Sequence, residues 1–257
     1  MRSIHSVHDL ASAVGKIDVG GHAKQITVFG LTFNLDTIWG SLLAAAIVCG
    51  LAWVMTRNGR RQMREGKGTP GVPTKAEYIA EWLVSQVQEL TDSAIGPQGR
   101  RYVPLAVTLF SFILVCNWMG VIPSGHNPEW LPSPTGDINL PLAMALFVWI
   151  WVQGASIKAK GPGGYFKHFG QPYKFLIPLN IIEELVKPIT LTFRLFGNVF
   201  AGLLMVAVLV ALLPYGLFAP FEWGWKLFDM FIGAIQAFIF ALLAIIYFGM
   251  SLDTEGH

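Results

Sequence analysis

Long apolar runs separated by short polar stretches set the pattern of this chain. They fall at about residues 36–56, 102–122, 138–157, 176–213 and 226–251, and each is long enough to cross a hydrocarbon core. Between the first two lies a different segment, about 74–95. There Ile79, Leu83, Val87 and Leu90 share one helical face while Lys75, Glu81, Gln88 and Asp92 lie elsewhere. Thr74 and Glu77 carry the capping-box spacing that opens such a helix. It is too charged to span, so it is expected to lie in the membrane interface with Tyr78 and Trp82 at headgroup depth. The pattern predicts an all-α membrane protein of about five membrane helices plus one interfacial amphipathic helix. A single membrane domain is expected over 31–257, behind an N-terminal segment, 1–30, that is polar and lacks an apolar signal-peptide core.

The fourth run departs from the others. As one helix from Phe175 to Leu213 it would be about 60 Å long, twice the hydrocarbon thickness. Pro188 can kink it, yet no loop signal divides it. One strongly tilted helix is therefore expected, ending at Pro214-Tyr215-Gly216. A loop to about Trp225 should follow, and then a last helix packed antiparallel, so that the final two form a long tilted hairpin.

Composition agrees with the pattern. Of 257 residues, 53% are hydrophobic and only 13% charged, about half the charged fraction of a soluble domain, with a mean hydropathy of +0.52. The placement of charge says more than its sum. Arg57, Arg60, Arg61, Arg64 and Lys67 follow the first run, and Lys158, Lys160 and Lys167 follow the third. The loop 123–136, after the second, has four prolines and no Lys or Arg. By the positive-inside rule the N-terminus is outside and the C-terminal tail, Asp253–His257, cytoplasmic. Cys49 and Cys116 fall inside runs, where they are expected as small core residues rather than a disulfide or metal pair. Gly66, Gly68 and Gly71 match a dinucleotide-binding pattern by accident, since they follow a basic tail rather than a strand and flank Pro70. There is no Walker phosphate-binding motif, so ATP chemistry is not expected on this chain.

The candidate chemistry lies at membrane depth. Arg194 stands in the middle of the fourth run, and a guanidinium keeps its charge there at a cost of about 2.5–3.5 kcal/mol. Such a charge implies a negative group that it meets inside the membrane. Asn198, Ala201 and Met205 share its face, with Gly197 and Gly202 beside it, so another helix can approach closely. The structural alternative is a small-residue seam between this chain's own helices. Glu183, Glu184 and Lys187 lie toward the cytoplasm, where they either pair with one another or place a carboxylate in an aqueous vestibule. In the last helix Asp229, Gly233, Gln236 and Phe240 line one face, which brings Gln236 toward Arg194 and Asn198 if the helices are antiparallel. Asp36 and Asp137 stand at the external ends of their spans and are read either as solvated or as part of a path.

The run Lys187-Pro188-Ile189-Thr190-Leu191-Thr192-Phe193-Arg194-Leu195-Phe196-Gly197-Asn198, followed by Ala201-Gly202, resembles the signature of subunit a of F-type ATP synthases. Gln236-Ala237-Phe238-Ile239-Phe240 resembles the family's last-helix motif. Asn34-Leu35-Asp36, Asp137-Ile138-Asn139 and Lys158-Ala159-Lys160-Gly161 support it in the family's order. The resemblance implies a bacterial plasma-membrane stator subunit with no cofactor or metal of its own and no nucleic-acid partner. Its partners would be a c-subunit ring, b-type peripheral stalk subunits, other ATP synthase subunits and membrane lipid. Arg194 would take the essential arginine role between two proton half-channels, with Asn198 and Gln236 as polar companions. Two positions depart from the best-known bacterial pattern: Leu203 stands where many relatives have an acid, and Asp229 where a histidine is frequent. Asp229 is therefore expected to serve the external path, with Asp36 and Asp137 as helpers. Two further readings are a stand-alone permease for an anionic substrate, against which the lack of internal repeats counts, and a scaffold in which Arg194 pairs with Glu183 or Glu184.

Overall fold

The computed structural model describes residues 25–28, 31–64, 75–120, 134–169, 174–212 and 215–252. The expected segment 1–30 (apart from 25–28), the linker 66–73, Thr74, most of the loop 123–136 and the tail 253–257 lie outside the described residues. Among the described residues six α-helices carry the fold: α1 (Leu35–Arg64), α2 (Lys75–Ile95), α3 (Val103–Met119), α4 (Asn139–Phe169), α5 (Ile177–Leu212) and α6 (Tyr215–Leu252). All but α2 contain a stretch long and apolar enough to cross a membrane. The molecule is an all-α membrane protein with one small addition. Strands β1 (Gln25–Val28) and β2 (Leu31–Asn34) pair antiparallel, Gln25 opposite Asn34, immediately before α1. The alternation of Ile26, Val28, Leu31 and Phe33 around a two-residue connection ending in Gly30 is a hairpin signal that the long apolar runs overshadow.

The core lies among α3, α4, α5 and α6. Leu109 and Ile113, Met144 and Val148, Leu191 and Leu195, and Phe240 and Phe248 interdigitate there. Ala237, Ala241 and Ala244 keep α6 close to its neighbours, as small residues do where lipid offers no hydrophobic drive to associate. The rings of Tyr102 and Phe248 stack with centroids 4.2 Å apart, joining the start of α3 to the end of α6. Helix α1 is peripheral and touches the core through Ala44, packed with Cys116 and Met119. Cys116 is buried as expected, but Cys49 is exposed on α1 and belongs to no core. Large apolar side chains such as Trp39, Trp53, Phe193 and Phe231 stand outward, which lipid tolerates and water does not.

Helix α2 docks only by its C-terminal half, where Val87 and Thr91 are buried. Tyr78, Ile79 and Trp82 stay exposed, so the face that Ile79 shares with Val87 is covered at Val87 and uncovered at Ile79. Helix α5 is continuous over 36 residues, about 54 Å, with Pro188 accommodated inside it. The loop expected up to Trp225 is absent. Helix α6 begins at Tyr215 and carries Pro220 and Trp225 within it. Beside lipid, backbone groups must be satisfied internally, and helix achieves that where a loop does not. Glu222 and Lys226 reinforce the added turns with an ion pair of 2.9 Å at i,i+4.

Candidate functional site

Helix α5 presents two unlike faces. Leu191, Thr192 and Leu195 are buried against α4 and α6, and the Thr192 hydroxyl donates to the carbonyl of Pro188 at 2.8 Å. On the other face Arg194, Ala201 and Met205 are exposed and Asn198 half-buried. A side chain at Gly197 would meet nothing within 4 Å, so the face is open beside Arg194 and Asn198. Among the described residues no ion pair or hydrogen bond engages Arg194. The carboxylates that a scaffold would pair with it are oriented otherwise.

Glu184 is held by its own neighbourhood. Lys187 pairs with its Oε1, and Gln153 of α4 donates from Nε2 to its Oε2 at 2.7 Å. The hydroxyl of Tyr165 donates in turn to Oε1 of Gln153 at 2.9 Å. Burial pushes the Tyr165 phenol up from its ordinary value, and the Glu184 charge pushes it further the same way, so the hydroxyl stays a donor. Glu183 remains largely in the open, 3.9 Å from Lys187. The Lys187 ammonium lies 5.6 Å from the centre of the Tyr247 ring on α6. Tyr247 is within electrostatic reach of both Glu184 and Arg194. A polar chain thus runs from Tyr165 through Gln153, Glu184 and Lys187 to Tyr247.

At the other end of α5, Asp229 of α6 is half-buried beside Gly202. A Cβ at position 202 would stand 2.9 Å from Asp229 Oδ1 and 3.2 Å from its Cγ, so the carboxylate occupies space that only glycine leaves. Trp225 donates to the Gly202 carbonyl at 3.3 Å and Trp118 to that of Met230 at 3.2 Å, bracketing Asp229. One turn on, Asn117 of α3 donates to the Gly233 carbonyl at 3.1 Å and accepts from Thr135 at 3.0 Å. Gln236 lies deeper and is buried, and its Nε2 has no hydrogen-bond partner. An unpaired buried donor costs about 1–3 kcal/mol, so it marks a place where the chain lacks a partner group. Among the described residues its Nε2 donates neither to Asn198 nor to a backbone carbonyl across the helices.

Asp137 is not a solvated acid. It is buried, and its carboxylate accepts from Asn34 Nδ2 (2.7 Å), Thr37 Oγ1 (2.8 Å), Asn139 Nδ2 (2.8 Å) and the Asn139 amide (3.1 Å). It caps α4 and clamps that helix to the start of α1. Asp36, half-buried in the first turn of α1, lies one residue from this clamp. Asn117, Thr135, Gln153, Tyr165 and Tyr247 were not singled out in the sequence. The signal for Asn117 and Gln153 is an amide inside an otherwise apolar run; none marked Tyr165, which acts across a break in its helix.

Comparison with known proteins decides the family. The family model described as ATP synthase A chain matches residues 38–249, a range that contains both helix faces described above. The chain belongs to the ATP synthase subunit a family. Curated relatives agree along nearly the whole length. ATP synthase subunit a of Acidothermus cellulolyticus is 46% identical over 243 residues, covering 94% of this chain and 85% of that one. The subunit a of Mycobacterium leprae is 41% identical over 251 residues, covering 95% and 96%. This subunit a is a multi-pass membrane protein of the proton-translocating sector of ATP synthase, and its partners are other subunits of that complex.

Proposed function

We propose that the open face of α5 is the surface past which a ring of c-subunits turns, with Arg194 as the fixed charge that each ring carboxylate meets. The observation that carries this reading is an exposed guanidinium, engaged by no side chain among the described residues, on a face flattened by Gly197 and Ala201. Opposite a permanent cation, a carboxylate is favoured in its ionised form and gives up its proton. The same cation bars a proton from passing straight between the two access paths. One path runs from the external side by Asp229 and Gln236, with Asn198 at its inner end. The other opens to the cytoplasm by Glu184, with Glu183 at its mouth. Asp137 supports the external path by holding α1 and α4 together rather than by carrying a proton, and Asp36, one residue from that clamp, is a helper on the same side. Moving one charge across is worth about 2.3 kcal/mol per 100 mV, so several protons are pooled per ATP and rotation does the pooling.

The chain works as one membrane domain over about residues 31–257, N-terminus outside and C-terminus cytoplasmic, in a bacterial plasma membrane. It catalyses no reaction alone, and b-type stalk subunits hold it against rotation. Replacing Arg194 by Ala tests the reading. The complex should assemble with its full subunit complement and lose proton-driven ATP synthesis. Retained synthesis overturns the role of the arginine, failed assembly favours a scaffold, and solute uptake by the purified chain alone favours a permease.

A further inference from the structure

Tyr165 and Gln153 form a hydrogen-bonded pair that no ordinary helix makes. They are 12 residues apart on α4, about 18 Å along a straight helix. Their side chains nonetheless meet at 2.9 Å, because Gly161, at φ 71° and ψ 160°, breaks α4 and turns the chain after it back toward Gln153. Such a φ is strained for any residue with a side chain. The pair also fixes the direction of the Gln153 amide. With its oxygen accepting from Tyr165, its nitrogen points at Glu184 Oε2. The reversed amide would set an oxygen against a carboxylate.

Both oxygens of Glu184 are thereby engaged, Oε1 by Lys187 on its own helix and Oε2 by Gln153 from α4. A pair between neighbours on one helix leaves both side chains free to swing. The bond across the helices removes that freedom. It draws Glu184 inward, its side chain 26% exposed against 63% for Glu183 next to it. We propose that Gln153 and Tyr165 are positioning residues of the inner proton path: the segment folded back at Gly161 holds the Glu184 carboxylate in place for proton exchange. This rests on the reading of Glu184 as the inner acid. Tyr165 does not carry the proton; it keeps Gln153 aimed.

The test uses the intact ATP synthase reconstituted in vesicles, with proton flux through the membrane sector measured under a potassium diffusion potential and subunit stoichiometry checked for each variant. Tyr165→Phe removes one hydroxyl and should slow flux about 3- to 10-fold, the scale of one lost hydrogen bond. Glu184→Gln should slow it more. In the Glu184→Gln background, Tyr165→Phe should have no further effect, and Gln153→Leu should behave likewise. The same slowing by Tyr165→Phe in both backgrounds overturns the proposal, since a merely structural hydroxyl acts regardless of Glu184. Unchanged flux in the single Tyr165→Phe and Gln153→Leu variants also overturns it. Unchanged flux in Glu184→Gln sinks the inner-acid reading itself, and is recognised because it appears without any change at Tyr165.

Discussion

Replacing Gly202 by Ala sets one methyl group against one carboxylate. The added carbon would stand 2.9 Å from Asp229 Oδ1 and 3.2 Å from both its Cγ and Oδ2, closer than real Cβ contacts allow. Either α5 and α6 separate or the Asp229 side chain rotates. Separation strains the contact by which Trp225 reaches the Gly202 carbonyl at 3.3 Å, whereas a short side chain turns about two bonds. Overpacking of this kind costs about 1–3 kcal/mol. The carboxylate yields first, so the loss falls mainly on the external path. At about 1.4 kcal/mol per factor of ten, flux should drop about 5- to 100-fold in complexes that still assemble. The assay is ATP-driven acidification of inverted membrane vesicles, normalised to the amount of assembled complex. Thermal unfolding of the purified complex with Gly202→Ala, Asp229→Ala and the double substitution completes a cycle. Gly202→Ala should destabilise the parent and spare the Asp229→Ala background, where the oxygens are gone. Equal destabilisation in both backgrounds would refute the steric argument, and normal flux in Gly202→Ala would remove Asp229 from the path.

Three other outcomes are expected. Asp137→Ala leaves Asn34, Thr37 and Asn139 without their acceptor and uncaps α4. The complex should lose about 1–3 kcal/mol of stability, read as a lowered midpoint in denaturant, while complexes that survive keep normal flux per particle. Gly161→Ala meets no steric contact but forces a side chain into φ 71°. It should cost about 1–2 kcal/mol and reproduce the flux loss of Tyr165→Phe. In detergent-solubilised complex, a maleimide should not modify Cys116, the one thiol left in a Cys49→Ser variant of this chain, until denaturant is added, because Cys116 is fully buried between α1, α3 and their neighbours.

What the sequence could reveal depended on whether the signal was local. The spans were legible because an apolar run at bilayer depth has little choice but helix, and Arg194 was legible because a fixed charge there is costly wherever its partner lies. Boundaries were less so. Tyr215–Trp225 contains Gly, Pro and a charge and reads as a loop, yet helix extends through it because backbone groups beside lipid need internal partners. The site polar groups diverged most. Asp137 reads as a surface acid until the hairpin brings Asn34 to it across 103 residues of sequence. Tyr165 is unremarkable until Gly161 folds the chain back on Gln153.

The same contrast bears on how the two ends of α5 differ. Glu184 is surrounded by donors from α4 and α5, a carboxylate fully provided for within the chain. Asp229 instead lies against a bare glycine backbone, and about two turns deeper Gln236 keeps a buried donor unused among the described residues. A stator that receives protons at one end and releases them at the other needs unlike ends. Under the proposed function, the inner path has its carboxylate already held in place by Lys187 and Gln153. Under the same proposal, the outer path has in Gln236 Nε2 a buried donor left for a group outside the described residues. The asymmetry follows from which polar groups the fold satisfies and which it leaves for a partner.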